Sequence, residues 1–414
     1  MLLGLCGVGA LVGSWPVLLP LSAQLPLDAV PLTAHVAGML AGYGVLVLVM
    51  LMARWPVLER FGSDALARWH ARLGRLVLTL VLVHAVAAVV AVGWWEVIGL
   101  PGLVAATIGT GLLVTVGVCS ARAARRRLSY ETWHALHLLT YVAIALSFLH
   151  QLAGPDLAGH RTMQLLWALL YAHTFGLVLR HRLLGPLRGA VRHRLRVEAV
   201  VPEAPGVVSI MLAGVHLDEL SAEPGQFFRW RFLTPDTWRT AHPFSLSAAP
   251  TRTHLRLTVK ALGDGTRLLQ GIDVGTWVVA EGPYGALTAA RRTRRDVLLF
   301  AGGVGITPLR ALFETLPLEA GQDLMLVYRA RSREEIVFRA ELDELAERRR
   351  ARVVYLLGEE PSLISPAALA RLVPGLPARD VYLCGPPGMS GAVRRSLVAA
   401  GLPRGQLHEE RFSF

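Results

Sequence analysis

Long apolar runs joined by short loops, with arginine confined to every second loop, make up the first 180 residues of this chain. A helix needs about 20 mostly apolar residues to cross about 30 Å of hydrocarbon. Six runs approach that length: 2–21, 32–52, 73–94, 97–118, 133–152 and 163–179. Pro16 and Pro20 interrupt the first, which suits a broken or partly inserted helix. Only 17% of all residues are charged, against about 25% in soluble domains, so part of the chain belongs in lipid.

The loops set the expected orientation. Arg54, Arg60, Arg68 and Arg72 follow the second run, and Arg122, Arg125, Arg126 and Arg127 follow the fourth. Arg180, Arg182, Arg188, Arg192, Arg194 and Arg196 follow the sixth, while the other three loops hold only Arg161. With six spans all three basic segments fall on one side, so both termini are expected in the cytoplasm of a multi-pass protein of a bacterial-type plasma (inner) membrane. This also accounts for the net charge of +12, carried by arginine with Lys260 as the one lysine. No zinc-finger or other nucleic-acid-binding signature accompanies it, and no nucleic-acid partner is expected. Cys6, Cys119 and Cys384 lie far apart without CxxC spacing, which argues against a disulfide framework, a zinc site or an iron–sulfur cluster. The first basic residue is Arg54, so the opening apolar run reads as retained rather than as a signal peptide.

Metal-binding side chains inside spans are costly and point to function. The third run begins near His70 and contains His84; the fifth contains His137 and His150. At 1.5 Å per residue each pair is about 20 Å apart along its helix. Both spans run from inside to outside, so His70 and His137 share the inner level and His84 and His150 the outer one. Two levels with an imidazole from each helix suit two bis-His haems. Thirteen steps of about 100° put His137 and His150 on different faces of an ideal helix, and His134, one turn earlier, is a rival inner ligand. His35 either hydrogen-bonds a haem propionate or serves a neighbouring helix. His160 and Arg161 either stabilise propionates or an anionic product, or form a solvated loop.

From about Arg194 the texture changes to short alternating runs such as 207–212 and 254–259, broken by Pro and Gly turns. A small antiparallel barrel is expected up to about 290. Three patterns stand out in it. In Arg239-Thr240-Ala241-His242-Pro243-Phe244-Ser245, Pro243 fixes a turn, Phe244 can pack on a flat ring system and Ser245 can offer a hydrogen bond toward a flavin. In Lys260-Ala261-Leu262-Gly263-Asp264-Gly265-Thr266, the glycines let backbone N–H groups approach a pyrophosphate, and Thr266 can cap the helix that follows. Gly282-Pro283-Tyr284-Gly285 is a tight turn.

Beyond 291 apolar strands (296–300, 324–328, 352–357, 381–384) alternate with helical stretches, which predicts an α/β domain with a parallel sheet. Ala301-Gly302-Gly303-Val304-Gly305-Ile306-Thr307-Pro308 is a strand–glycine turn–helix of the kind that cradles a dinucleotide pyrophosphate. Arg329, Arg331, Ser332 and Arg333 end the next strand, where arginine favours the 2′-phosphate of NADPH over NADH; Glu334 and Glu335 follow directly, and the run also reads as an exposed helix start. Cys384-Gly385-Pro386-Pro387-Gly388-Met389 places Cys384 at a strand's C-terminal end, as either a ligand-facing thiol or a small core residue. Phe412-Ser413-Phe414 either closes over a flavin ring or packs.

These residues together resemble the ferric reductase and NADPH oxidase superfamily. The likeness rests on six spans with paired histidines in the third and fifth, HPFS, the GxxT turn, AGGVGITP, CGPPGM and a terminal Phe. It covers nearly the whole chain and prefers His137 to His134 by spacing. It implies a multi-domain membrane protein: a six-helix all-α haem-binding bundle over 1–185, an antiparallel β-barrel FAD domain over 190–290, and an α/β NAD(P) domain over 291–414. By the same resemblance His242, Pro243, Phe244 and Ser245 lie at the isoalloxazine, and Lys260, Gly263, Gly265 and Thr266 at the FAD phosphates. Gly302, Gly303, Gly305, Thr307 and Pro308 then hold NAD(P)H with Arg329, Arg331, Ser332, Gly385, Pro386 and Met389. Catalytic roles fall to His242, Ser245, Cys384 and Phe414, and iron ligation to His70, His84, His137 and His150. The implied cofactors are two b-type haems, FAD and NADPH, with oxygen or a ferric chelate as outer acceptor. Rival readings are a relay to quinone or an exported partner protein, and a membrane anchor or transporter with a vestigial reductase domain.

Overall fold

The structure, a computed structural model, describes residues 7–12, 29–59, 61, 63–95, 102–128, 130–154 and 156–411. Most of the first expected span, Arg60, and residues 412–414 with Phe414 lie outside the described residues. The chain separates into two compact units, Met1–Arg182 and Leu183–Phe414.

Among the described residues of the first unit, five helices are long and apolar enough to cross a membrane. They are built on α1 (Ala29–Leu51), α2 (Ser63–Val92), α3 (Leu103–Ser120), α4 (Tyr130–Ala153) and α5 (Arg161–Val178). The expectation was six; the five correspond to the second through sixth runs. α1 is the central helix: its apolar window is 56% buried, against 6% for α2, whose Leu76, Val86 and Val90 point outward. Lipid gives no hydrophobic drive to pack helices, so small residues that allow close contact do this work. A Cβ placed on Gly42 would stand 2.9 Å from Trp167 of α5, and one on Gly38 2.7 Å from His84 of α2. Gln151 of α4 ties α5 further, accepting from Trp167 Nε1 at 2.9 Å and Tyr171 Oη at 2.8 Å. Interhelical bonds of this kind contribute about 0.6–2 kcal/mol each in lipid. The α-helix of the last span stops at Val178, beside the expected 179. A π-helical turn, Leu179–Leu184, continues it into α6 (Gly185–His193), because Leu, Arg and His in this stretch carry no helix breaker before Gly185.

The second unit begins with two three-stranded antiparallel sheets. β1 (Arg196–Ala204), β2 (Val207–Ala213) and β5 (His254–Lys260) form one; β4 (His242–Ser245), β3 (Phe227–Phe232) and β6 (Val278–Tyr284) form the other. Single bridges, Leu246 to Leu257 and Arg196 to Trp277, join them where a barrel was expected. Phe228, Trp230 and Phe232 alternate along β3, and all are fully buried between the sheets. This is the period-2 pattern of a half-buried strand.

A five-stranded parallel sheet follows, in the order β11-β10-β7-β8-β9. Its strands are β7 (Asp296–Gly302), β8 (Leu324–Ala330), β9 (Arg352–Leu357), β10 (Arg379–Gly385) and β11 (Leu407–Arg411). α8 (Ile306–Thr315), α9 (Arg339–Arg349), α10 (Pro366–Leu372) and α11 (Pro387–Ala399) connect them, and α7 (Asp264–Leu268) precedes β6. The strand order reverses between β7 and β10, the crevice where open α/β sheets bind ligands. Arg256 of β5 reaches Glu341 of α9, and Arg310 of α8 meets the same carboxylate, so ion pairs join the sheets to the α/β layer.

Candidate functional site

In the first unit α2 and α4 bring their histidines together in two pairs. The ring centroids of His70 and His137 are 6.0 Å apart, and those of His84 and His150 6.2 Å. Imidazoles on opposite sides of one metal ion, each about 2.0–2.1 Å from it through nitrogen, have centroids roughly 6 Å apart. Both pairs therefore have the spacing of a ligand pair. His70 Nδ1 donates to the Leu48 carbonyl at 3.1 Å, and His84 Nδ1 to the Ala34 carbonyl at 2.7 Å. A carbonyl can only accept, so Nδ1 carries the proton and Nε2 is left free to ligate, as metal-binding histidines require. His137 Nδ1 and His150 Nδ1 are buried without a hydrogen-bond partner among the described residues. Trp133 stacks on His137 at 5.2 Å and stands 6.5 Å from His134, and it is His137 whose ring lies 6.0 Å from that of His70. His35, for which the sequence named no partner, bonds Asp156 through Nδ1 at 2.9 Å. Asp156 lies in the loop after α4, and sequence spacing offers no link between the two.

In the second unit three separate motifs line one cleft. Pro243, Phe244 and Ser245 come from β4, Lys260 and Thr266 from the β5–α7 turn, and Val304 and Thr307 from the glycine turn after β7. Thr258 and Leu262 also line it; alternation along β5 was the available signal for Thr258. His242 and Phe244 stack at 5.8 Å, and a Cβ on Gly265 would come within 2.7 Å of the His242 ring. Ser245 Oγ, His242 Nε2 and Arg229 Nε are buried without partners among the described residues. They are groups suited to a polar, planar ligand. Arg229 was not singled out by sequence, being one of two arginines in an alternating strand. Burial holds the His242 imidazole below its ordinary pKa, so it is neutral at pH 7. Thr266 caps α7 from inside its first turn: its Oγ1 reaches back to accept from Gly263 N and Leu262 N, each at 2.9 Å.

The two glycine turns of the α/β layer pack backbone to backbone. A Cβ on Gly305 would overlap the Cys384 carbonyl, and one on Gly302 would overlap Met389 Sδ. Gly303 has φ +51, a left-handed value that glycine adopts without strain. Thr307 Oγ1 donates to the Val304 carbonyl at 3.1 Å, and Pro308 is buried in the first turn of α8. Gly385 and Pro386 lie beside Gly302. Cys384 is fully buried in the core at the C-terminal end of β10. Burial, then Glu410 and Glu409, push its thiol pKa well up, so it is neutral. Two of the arginines expected at a 2′-phosphate are engaged elsewhere. Arg329 bonds the Gly358 and Glu360 carbonyls, and Arg331 pairs with Glu359 at 2.7 Å, with Ser332 beside it in the bend.

Residues 37–148 match the model of the ferric reductase like transmembrane component, and 299–395 that of the oxidoreductase NAD-binding domain. The chain joins a ferric-reductase-like transmembrane domain to a ferredoxin-reductase-like FAD/NAD-binding module. The ferredoxin reductase component of 3-ketosteroid-9-alpha-monooxygenase from Rhodococcus rhodochrous is 31% identical over 53% of this chain and 64% of its own length. The glycine betaine monooxygenase reductase subunit of Chromohalobacter salexigens is 29% identical, over 53% and 64%. The flavohem-like FAD/NAD binding domain of nitric oxide dioxygenase from Vibrio cholerae O1 biovar El Tor aligns over 53% of this chain and 98% of that domain. Its TM-score is 0.45 at 26% identity. The chain thus spans less than two thirds of the length of these curated relatives.

Proposed function

We propose that this protein is a transmembrane flavocytochrome b that moves electrons from cytoplasmic NAD(P)H to oxygen or a ferric chelate on the outer side. The reading includes six spans, both termini in the cytoplasm, and strands 190–290 acting as one closed FAD barrel. The observation that carries it is the pair of imidazole contacts, 6.0 and 6.2 Å between centroids, on the same two helices. Bound FAD and haem supply hydride acceptance and one-electron transfer, chemistry that protein side chains lack.

The residues position these groups. His70 with His137 holds one haem and His84 with His150 the other, the α2 member of each pair oriented by a carbonyl of α1. Pro243 and Phe244 flank the isoalloxazine, and the Ser245 hydroxyl and the neutral His242 ring offer it hydrogen bonds. Lys260 and the N–H groups of Gly263, Gly265 and Thr266 meet its phosphates. The turns at Gly302–Gly305 and Gly385–Met389 would seat the nicotinamide dinucleotide, and Cys384 and Phe414 keep the catalytic roles that the resemblance implies. NADPH is the proposed donor, with Arg329, Arg331 and Ser332 at its 2′ side; NADH remains the competitor, since Arg331 is neutralised by Glu359.

An anaerobic absorption spectrum of the purified protein before and after NADPH tests this. Reduced b-type haem bands on adding NADPH are the expected result. Bands that answer dithionite but neither nicotinamide would overturn the flavin and nicotinamide assignments. Absence of haem bands would overturn the histidine assignments and favour an anchor with a vestigial reductase.

A further inference from the structure

α6 is docked the wrong way round for a helix in water. Leu187 and Val191, four apart and so on one face, are 61% and 66% exposed, and Leu183 in the π turn before them is 62% exposed. The face about 200° from Leu187, at Gly189 and His193, is the one turned to the protein. Gly189 approaches the Ala280 carbonyl of β6, and His193 is 7% exposed, with Nδ1 3.3 Å from the Val215 carbonyl. The sequence thus gives the strand its glycine and leaves its large aliphatic side chains outside.

Charge marks the occupant of that outer face. Residues 179–196 hold six arginines and no Asp or Glu. Arg192 is satisfied by Glu219, while Arg188 and Arg194 are exposed and make no ion pair among the described residues. Aliphatic residues on one face with arginines around them is the composition of a helix that lies in the plane of a bilayer surface, and an anionic leaflet attracts such arginines. A π-helical turn, Leu179–Leu184, separates it from the α-helix of the last apolar span.

We propose that α6 is an in-plane interfacial helix whose Leu187–Val191 face enters the headgroup–acyl boundary of the cytoplasmic leaflet, with Arg188 and Arg194 on anionic phospholipid headgroups. This rests on the reading of the first unit as membrane-spanning, and the test separates the two.

Full-length protein, with Cys6 and Cys119 changed to alanine and Cys384 left buried, is labelled with bimane at Leu187→Cys or at Val86→Cys of α2. It is placed in nanodiscs of phosphatidylcholine with or without phosphatidylglycerol. Lipid carrying an acyl-chain spin label is the membrane quencher and iodide the aqueous one. The proposal expects lipid quenching at both positions, with iodide quenching at position 187 at least threefold weaker than for free dye. It also expects lipid quenching at 187, but not at 86, to increase with phosphatidylglycerol. Strong iodide and no lipid quenching at 187, with lipid quenching kept at 86, overturns the interfacial helix alone. Quenching by neither agent at 187 also overturns it, and shows protein covering the face: a second copy if dilution into empty nanodiscs restores iodide access, this chain's own residues if it does not. Loss of lipid quenching at 86 overturns the membrane reading itself.

Discussion

Replacing Glu341 by glutamine tests what holds the antiparallel sheets to the nicotinamide layer. Its carboxylate receives Arg256 through Nη1 at 2.9 Å and Nη2 at 3.0 Å, and Arg310 through Nε at 3.2 Å. Arg310 also pairs with Glu314, which accepts from Ala249 N at 3.0 Å. The substitution leaves two guanidiniums in place without their shared charge. Removing one partner of a buried pair costs about 3–5 kcal/mol. The arginines are 12% and 5% exposed but Glu341 is 31%, so solvent screening reduces the cost to about 2 kcal/mol. A unit of roughly 230 residues shifts about 2–4 °C per kcal/mol, which predicts a fall of about 4–8 °C in its unfolding temperature. Burial alone would raise the Glu341 carboxyl pKa, but the hydrogen bonds and charges of Arg256 and Arg310 outweigh it and hold the value below the ordinary one. A carboxylate with a depressed folded pKa stabilises fully above its unfolded value, about 4.3, and loses that contribution as pH falls through the folded value. The wild-type and Glu341→Gln unfolding temperatures, followed by flavin fluorescence in detergent, should therefore differ by a constant amount from pH 8 to pH 5.5 and converge below about pH 4.3. A difference under about 1 °C at pH 7.5, or one already shrinking between pH 8 and pH 6, refutes the reasoning.

Three further outcomes follow from the geometry. Gly38→Val puts carbon where His84 Nδ1 stands 2.7 Å from a Cβ, and should lower haem content from two per chain to one, read by pyridine haemochrome assay; two haems retained would contradict the assignment. Burial depresses the His242 pKa, so the folded state resists protonation: its stability is full above about 6.5 and falls as pH drops below it. Flavin retention should therefore weaken from pH 7 to pH 5.5 in the wild type and show a flatter profile in His242→Gln, measured by filtration and flavin absorbance. Glu359→Gln frees Arg331 from its 2.7 Å surface pair, and since such pairs contribute about 0.2–1 kcal/mol, the KM for NADPH should fall by about 1.4- to 5-fold with that for NADH unchanged.

The sequence made some of this legible and hid the rest for physical reasons. Apolar length marks a span without regard to neighbours, so the five described helices fell where hydropathy put them. Period-2 burial marked β3, and the glycines at 302 and 305 were readable because only glycine permits the backbone approach to Met389 and Cys384. The end of the last span was legible too, its α-helix stopping at Val178 where the arginines begin, but the π turn and further helix over 179–193 left no apolar signal. Partners distant in sequence left no trace: His35 with Asp156, Arg256 with Glu341, and Arg331 with Glu359 are set by packing or loop closure rather than by local pattern. The arginines at the end of β8 show the cost of reading charge without its neighbours.

The histidine site depends on a helix that contributes no ligand. His70 and His84 are fourteen residues apart on α2, and the carbonyls that receive their Nδ1 protons, Leu48 and Ala34, are also fourteen apart on α1, in reversed order. At 1.5 Å per residue both intervals are about 21 Å, so two antiparallel helices keep register at both levels at once. Glycine at position 38 then becomes necessary, since the His84 ring stands where a side chain would be. The α4 histidines lack this support among the described residues and are thirteen apart, so their rings cannot both leave an ideal helix in the same direction. Orientation on the α2 side is set before any cofactor arrives, and the α4 side is left to adapt. A stretch of alanine, glycine and leucine that reads only as a span thus fixes the tautomer of half of the proposed ligand set.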